Sequence, residues 1–122
     1  MNAGLSVHCV DVAHGRVAEG LSVSLYRLGA DGEPAGAPLA SGRVGTSGAW
    51  TDPVLTGPQI TAGGYEVRFD VGGFFRRLGV ALPDPGFLEV VVYRFHVTDA
   101  AQHFHLPFKF TPWGFSLFRG GA

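Results

Sequence analysis

Short segments in which apolar and polar residues alternate constrain the fold of this chain more than any other feature. The segment YEVRFDV at 65–71 places four apolar side chains on one face and three charged side chains on the other. A period of two residues is typical of a β-strand with one buried face. Similar segments predict strands at 5–10, 21–28, 39–44, 65–71, 87–99, 102–110 and 114–118. The segment 87–99 is apolar on both faces, which predicts a central strand.

Turn-forming residues separate these segments. The chain has 19 glycines and 8 prolines, concentrated in stretches such as GADGEPAGAP at 29–38, while 46% of its residues are apolar and ten are phenylalanine. A disordered chain would be poor in apolar residues, so the glycines and prolines indicate turns between buried strands. GGFFRRLG at 72–79 breaks the two-residue period and predicts one short helix that ends at Gly79. The sequence therefore predicts an all-β, antiparallel β-sandwich with one short helix.

Size and charge exclude several function classes. A chain of 122 residues is the size of one domain, so residues 1–122 are predicted to form a single domain. A net charge of −1 gives no electrostatic reason to expect nucleic acid or an anionic membrane as a partner. No apolar run approaches the roughly 18–20 residues that span a bilayer, and no secretory signal is visible. The single cysteine, Cys9, cannot form an internal disulfide, which favours a cytoplasmic protein.

Four stretches together resemble the transthyretin-like family. They are HCVD at 8–11, GRVAEGLSVSLYRL at 15–28, YEVRFDVGGFF at 65–75 and HFHLPFKFTPWGFSLFRGG at 103–121. They occur in the family's order between residues 8 and 121, so the similarity extends over nearly the whole chain. The resemblance implies a transthyretin-like sandwich and a homotetramer, a dimer of dimers, whose ligand sites lie in a channel lined by the C-terminal tails. The enzyme branch of this family is 5-hydroxyisourate hydrolase, which acts in urate degradation.

The resemblance also implies a set of functional residues. The family's first-strand histidine corresponds to His8, and the second histidine of its His-aromatic-His element corresponds to His105. Its arginine, in a Gly-Arg-Thr-Asp turn, falls on Trp50. Its terminal Tyr-Arg-Gly-Ser is replaced by Phe-Arg-Gly-Gly at 118–121. The resemblance predicts catalytic roles for His8 and His105, and substrate-binding roles for Trp50, His103, Phe118 and Arg119.

The three replacements change the chemistry that the site offers. Opening a lactam-like ring requires a base for water and donors for the oxyanion that forms on the carbonyl. Histidine is suited to the first role near neutral pH. An arginine would offer a cationic fork, whereas Trp50 offers one N–H and an apolar face. Phe118 lacks the phenolic O–H of tyrosine. These changes favour a less polar or more aromatic heterocycle as the small-molecule substrate.

The three histidines also allow a metal site to be considered. His103 and His105 lie on one strand face about 7 Å apart, by the rise of a strand, and His8 is a possible third ligand for Zn²⁺. No cysteine or acidic residue is obviously placed to complete such a site, because alternation puts Cys9 on the buried face opposite His8. We therefore predict neither a metal nor another cofactor.

Three functions remain open from the sequence. The first is a transthyretin-like enzyme, for instance a biosynthetic one, repurposed for ring opening, closure or isomerisation of a more apolar heterocycle by two histidines. The second is a genuine 5-hydroxyisourate hydrolase with altered details, in which Arg119 supplies the positive charge lost at Trp50. The third is a non-catalytic protein that binds a small ligand.

Overall fold

The computed structural model describes residues 3–121, which form nine strands, one α-helix and one 3₁₀ turn. The strands are β1 Gly4–Asp11, β2 Arg16–Val17, β3 Ser22–Arg27, β4 Ala40–Arg43, β5 Ala49–Trp50, β6 Gly63–Asp70, β7 Val90–Val97, β8 His103–Phe110 and β9 Phe115–Leu117. The helix α1 is Val71–Arg77, and the 3₁₀ turn is Pro53–Thr56. No helix in this part of the chain has the length and hydrophobicity needed to cross a membrane.

The strands form two sheets that pack face to face. The first sheet has the order β2-β1-β8-β9, with β5 also paired to β1, and the second has the order β4-β3-β6-β7. The predicted antiparallel sandwich with one short helix is confirmed, with one exception in the first sheet. β1 and β8 run parallel over eight residue pairs, from Gly4 opposite His103 to Asp11 opposite Phe110. This pairing joins segments about a hundred residues apart in the sequence.

The core lies between the sheets, and alternation decides which side chains enter it. In β1, Leu5, Val7 and Cys9 are buried while the residues between them are partly exposed. Across the interface the rings of Phe69 in β6 and Phe108 in β8 stack with centroids 3.9 Å apart. Burial raises the pKa of the Cys9 thiol to about 12, so Cys9 is the buried small hydrophobic residue that the alternation predicts.

The helix begins where β6 ends. The carboxylate of Asp70 caps it by accepting a hydrogen bond from the backbone N–H of Gly73. Phe74 and Phe75 pack edge-on against Phe110 and close one end of the core. The predicted helix at 72–79 is therefore confirmed with its start one residue earlier and its end two residues earlier.

The predicted central position of the 87–99 strand is wrong. The strand, β7, forms an edge of the second sheet and pairs only with β6 among the described residues. The two valines on its outer face remain in contact with solvent, since Val90 is 52% exposed and Val92 is 50% exposed. An apolar outer face therefore does not show that a strand is covered on both sides. The two-residue strands β2 and β5 were not predicted because they are too short to show a period.

Candidate functional site

The parallel pairing of β1 with β8 brings the two predicted catalytic histidines together. His8 lies opposite Pro107, and Ser6 lies opposite His105. Because side chains two residues apart point to the same face of a strand, all of these residues share the outer face of the first sheet. His8 and His105 are thus diagonal neighbours on adjacent strands. The Cα atoms of such neighbours are about 7–8 Å apart.

A serine joins the two histidines of β8. The Ser6 hydroxyl oxygen lies 2.8 Å from Nε2 of His103 and 2.6 Å from Nδ1 of His105. All three side chains are partly buried. We call the group formed by Ser6, His8, His103 and His105 the imidazole face.

His8 is oriented by the turn before β5. Its Nε2–H donates to the carbonyl oxygen of Ser47 at 3.0 Å. Because a carbonyl only accepts, this bond places the proton of the neutral ring on Nε2 and leaves Nδ1 to accept a proton. The turn approaches so closely that a Cβ atom at Gly48 would lie 2.7 Å from Nε2 of His8, and Gly48 also has a φ of +89°.

The C-terminal tail covers the ring of His105. The backbone N–H of Gly120 donates to the carbonyl of His105 at 2.8 Å, which continues the register that pairs Phe108 with Leu117. A Cβ atom at Gly120 would lie 2.9 Å from Cδ2 of the His105 ring. This register also places Phe118 opposite Pro107 on the outer face, where its side chain is 48% exposed. The tail therefore reaches the imidazole face, as the resemblance implies.

Arg119 is directed away from this face. Its guanidinium donates to the Gln102 side-chain oxygen at 3.0 Å and to the His103 carbonyl at 3.2 Å. It lies 3.9 Å from the centre of the Phe104 ring, and Phe104 belongs to the core-facing series of β8. The predicted use of Arg119 as the positive charge beside a substrate is not supported by this geometry. Arg119 instead anchors the tail that carries Gly120.

Trp50 likewise does not face His8. The register of β5 on β1 sets Trp50 opposite the core-facing Val7, and sets Ala49 opposite His8. Trp50 is only 2% exposed, and a Cβ atom at Gly42, on the opposite sheet, would lie 3.0 Å from its indole nitrogen. A ligand against His8 therefore meets the methyl group of Ala49 rather than an indole face. The opposite orientations of Ala49 and Trp50 follow from register, because a shift of one residue moves a side chain to the other face. Trp50 lines the cavity beside the imidazole face, and its substrate-binding role stays a prediction.

The electrostatic environment of His105 favours the neutral form of its ring. Partial burial of the ring, together with the charges that His103 and His8 carry when protonated, holds the pKa of His105 below its ordinary value of 6.5. A neutral imidazole can accept a proton from water or from a substrate. The site thus favours the base form of this residue.

A cavity of about 530 Å³ adjoins the imidazole face. Ser6 and His103 line it, together with Trp50, Thr51, Leu55 and Thr56. Its volume is in the range of small-molecule sites. A second cavity, of about 490 Å³, lies on the outer face of the second sheet and is lined by Tyr26, Arg43 and Arg68 among others. Because no histidine lines the second cavity, the first one is the better candidate for this chemistry.

Sequence reasoning missed two contributors to the site, Ser6 and the carbonyl of Ser47. The signal for Ser6 was present, since alternation puts it on the same face as His8. Its contact with His103 and His105 depends on a strand pairing that has no local sequence signal. Within residues 3–121 no group of three or more His, Cys, Asp or Glu side chains is arranged to hold a metal ion. A hydroxyl group, rather than a metal ligand, stands between the two imidazoles of β8.

Comparison with known proteins identifies the family of this chain. The model of the HIUase/transthyretin family matches residues 5–120. The chain belongs to this family. It is 40% identical over 116 residues to 5-hydroxyisourate hydrolase 2 of Rhizobium meliloti, covering 95% of this chain and 94% of that protein. It is 38% identical over 116 residues to the 5-hydroxyisourate hydrolase of Ralstonia nicotianae, covering 95% and 97%.

Solved structures extend the comparison of this HIUase/transthyretin family member. The 5-hydroxyisourate hydrolase of Klebsiella pneumoniae superimposes with a TM-score of 0.77 at 29% identity, covering 98% of this chain and 94% of that one. (S)-Allantoin synthase gives a TM-score of 0.86 at 28% identity, and the match covers 98% of this chain but 44% of that one. Sea bream transthyretin in complex with thyroxine gives 0.83 at 22% identity, with 98% and 96% covered, a likeness that concerns the fold alone.

Proposed function

We propose that this protein hydrolyses 5-hydroxyisourate, with His8 and His105 as the proton-transfer groups. The observation that carries the proposal is the position of these two imidazoles on adjacent strands of one sheet face, each with one ring nitrogen engaged by the protein. The relatives named 5-hydroxyisourate hydrolase support this substrate over the repurposed one that the replacements at Trp50 and Phe118 favoured. Nothing in the comparisons points to an altered reaction.

The reaction needs a base and an acid on the same side of the ring. One imidazole accepts a proton from water as the water oxygen bonds to the ring carbonyl carbon. The second imidazole then donates a proton to the ring nitrogen as the carbon–nitrogen bond breaks, which leaves a carboxyl group and an N–H group. His105 suits the first role because its environment lowers the pKa of the ring and favours the neutral form. His8 then serves as the acid, since the Ser47 carbonyl accepts from Nε2 while the ring is cationic.

The decay of freshly prepared 5-hydroxyisourate, followed by its near-ultraviolet absorbance, tests this proposal. We expect the protein to accelerate the decay, and His8→Asn and His105→Asn each to lower turnover by about 10²–10⁴-fold. His96→Asn is the matched control, because His96 lies on β7 in the second sheet and is exposed. An unchanged spontaneous rate in the presence of the wild-type protein would refute the proposal.

A second candidate function follows from Ala49. The position opposite His8 carries a methyl group, so the site lacks a cationic fork there and favours a less polar cyclic amide. Assays with aryl-substituted hydantoins distinguish the candidates, since kcat/KM above that for 5-hydroxyisourate would favour the repurposed enzyme. Non-catalytic ligand binding is disfavoured by two histidines that converge on one hydroxyl group.

We also propose that the protein is a cytoplasmic homotetramer whose imidazole faces line a shared channel. Support comes from the resemblance and from the large apolar side chains left exposed near the tail, Trp113, Phe115 and Phe118, while the single cysteine favours the reducing compartment. Light scattering on the purified protein measures the assembly. A mass of four chains is expected, and a monomer at micromolar concentration would overturn this part of the proposal.

A further inference from the structure

The hydrogen-bonded chain through Ser6 has two possible directions. A serine hydroxyl has one proton, so it donates to one imidazole while it accepts from the other. In one direction His105 Nδ1–H donates to Ser6 and the Ser6 O–H donates to His103 Nε2, which leaves His105 Nε2 free to accept a proton. In the other direction all donors reverse, and His105 presents Nε2–H as a donor.

The His103 end of this series of hydrogen bonds is closed off from solvent. Nδ1 of His103 is buried and has no hydrogen-bond partner among residues 3–121. A buried, unpartnered nitrogen is costly whether or not it carries the proton, so neither direction is strongly preferred by a fixed partner. A carboxylate at this position would hold one tautomer, as in the Asp-His pair of serine proteases. The neutral hydroxyl group allows both.

We propose that Ser6 is a positioning residue that relays a proton between His105 and His103, so that these two imidazoles act as one proton-transfer unit. The inference rests on the proposed function. When Nε2 of His105 takes a proton, its Nδ1 proton passes to the Ser6 oxygen, and the Ser6 hydroxyl proton passes to Nε2 of His103. The positive charge then resides on His103. When the same transfers run in reverse, each proton returns to its starting atom. Turnover by His105 is thereby coupled to a residue that need not touch the substrate.

The charged groups around the relay are consistent with a single mobile proton. His8 faces it from β1, and Lys109 lies on the same face of β8. Arg119, in the tail, is turned toward Gln102 and the opposite side of the sheet. Asp52 lines the adjoining cavity, but it accepts from the backbone N–H of Val54 at the start of the 3₁₀ turn. The neighbours on the imidazole face itself are thus cationic or neutral, which disfavours a second proton on the pair.

Substitution of Ser6 tests the relay by kinetics. We expect Ser6→Ala to lower kcat by about 10–100-fold, with KM changed by less than about twofold, because the hydroxyl group acts through His105. Ser6→Thr keeps the hydroxyl and should retain most of the wild-type kcat. Ser22→Ala, on the outer face of the second sheet, is the matched control. Should Ser6→Ala fail to fold, Ser6→Cys serves instead, since it keeps the shape with a weaker donor.

Nitrogen-15 NMR of the histidine-labelled protein supplies a readout independent of turnover. In the wild type, His103 and His105 should titrate as a coupled pair, with apparent pKa values that belong to the pair. In Ser6→Ala the two rings should titrate separately, with changed tautomer populations. Unchanged NMR titrations in Ser6→Ala or Ser6→Cys would overturn the relay and leave the hydrolase proposal intact. Coupled titration without 5-hydroxyisourate turnover would sink the hydrolase proposal and retain the relay.

Discussion

The two sheets each carry a polar cluster on the outer face, but the chemistry of the clusters differs. On the second sheet, Glu66 is buried and accepts from Arg68 at 2.6 Å and from Arg94 at 2.8 Å. Arg68 also lies 4.0 Å from the centre of the Tyr26 ring. We call this group the ion-pair face. On the first sheet, the imidazole face is held by the Ser6 hydroxyl group and the Ser47 carbonyl group. Both clusters fill the space above a sheet, yet only one can exchange protons near neutral pH.

The difference shows what distinguishes a structural polar cluster from a reactive one. Burial acts to raise the pKa of Glu66, but hydrogen bonds from Arg94 and Arg68 outweigh it and lower that pKa. The carboxylate is therefore fixed in one charge state. The pKa of His105 is lowered from a value already near neutrality, so both of its protonation states are accessible to the reaction. The ion-pair face should contribute stability, and the imidazole face should contribute activity.

The largest expected effect is on the ion-pair face. Glu66→Gln leaves two guanidinium groups without their shared carboxylate, and we expect it to lower the free energy of unfolding by about 1–3 kcal/mol. Activity should remain within twofold of wild type. Urea denaturation measures the loss, with Glu19→Gln, at an exposed position, as control. A loss of turnover in folded Glu66→Gln protein would contradict the separation of roles.

Two glycines with the same φ angle allow a test of whether the turn before β5 orients His8. Gly48 and Gly20 both have a φ of +89°, but a Cβ atom would meet His8 and Val17 only at Gly48. Gly20→Ala should cost about 1 kcal/mol of stability from its φ alone, and Gly48→Ala about 1–2 kcal/mol more from overlap. Only Gly48→Ala should also lower turnover, because it displaces His8. Equal effects of the two substitutions on turnover would show that the turn does not orient His8.

Gly120 and Gly121 in the C-terminal tail allow a matched test of whether the tail positions His105. A Cβ atom at Gly120 would press on the His105 ring, whereas at Gly121 it would meet nothing within 4 Å. We expect Gly120→Ala to lower kcat about tenfold by moving the imidazole, and Gly121→Ala to leave kcat unchanged. Steady-state kinetics on both variants decides this. Wild-type turnover in Gly120→Ala would mean that the tail is not part of the site.

The smallest expected effect is a displacement of the pH profile. Because His105 must be neutral to accept a proton, kcat/KM should rise with pH with an apparent pKa below 6.5. His103→Gln removes one of the neighbouring charges that lower this pKa, so the rising limb should move to higher pH, whereas His96→Gln should leave it in place. The unfolded chain binds more protons at this position, so acidification below about pH 6.5 should also reduce the free energy of unfolding. If the rising limb of the pH profile stays in place in His103→Gln, the charge of His103 does not influence the pKa of His105.

Much of the fold could be predicted because its signals are local. The alternation in β1 and β6 identified their buried faces, and the interruption after Asp70 identified the helix. The position of β7 could not be predicted in the same way, since Val90 and Val92 are apolar without being covered. The family resemblance led to His8 and His105, but it does not indicate which residue lies opposite His8. A pattern of residue types does not specify the register of β5 on β1, which places Ala49 rather than Trp50 opposite His8.

The sequence alone determined which side chains of each strand enter the core, because a period of two and the exclusion of apolar groups from water act within a few residues. It also determined that imidazoles lie on the opposite face. Only the tertiary structure decided that β1 pairs with β8 in parallel, that Ser6 therefore stands between His103 and His105, and that Arg119 turns away from them. The contacts of Ser6 join positions nearly a hundred residues apart, and their geometry is set by the way the strands of the first sheet pair.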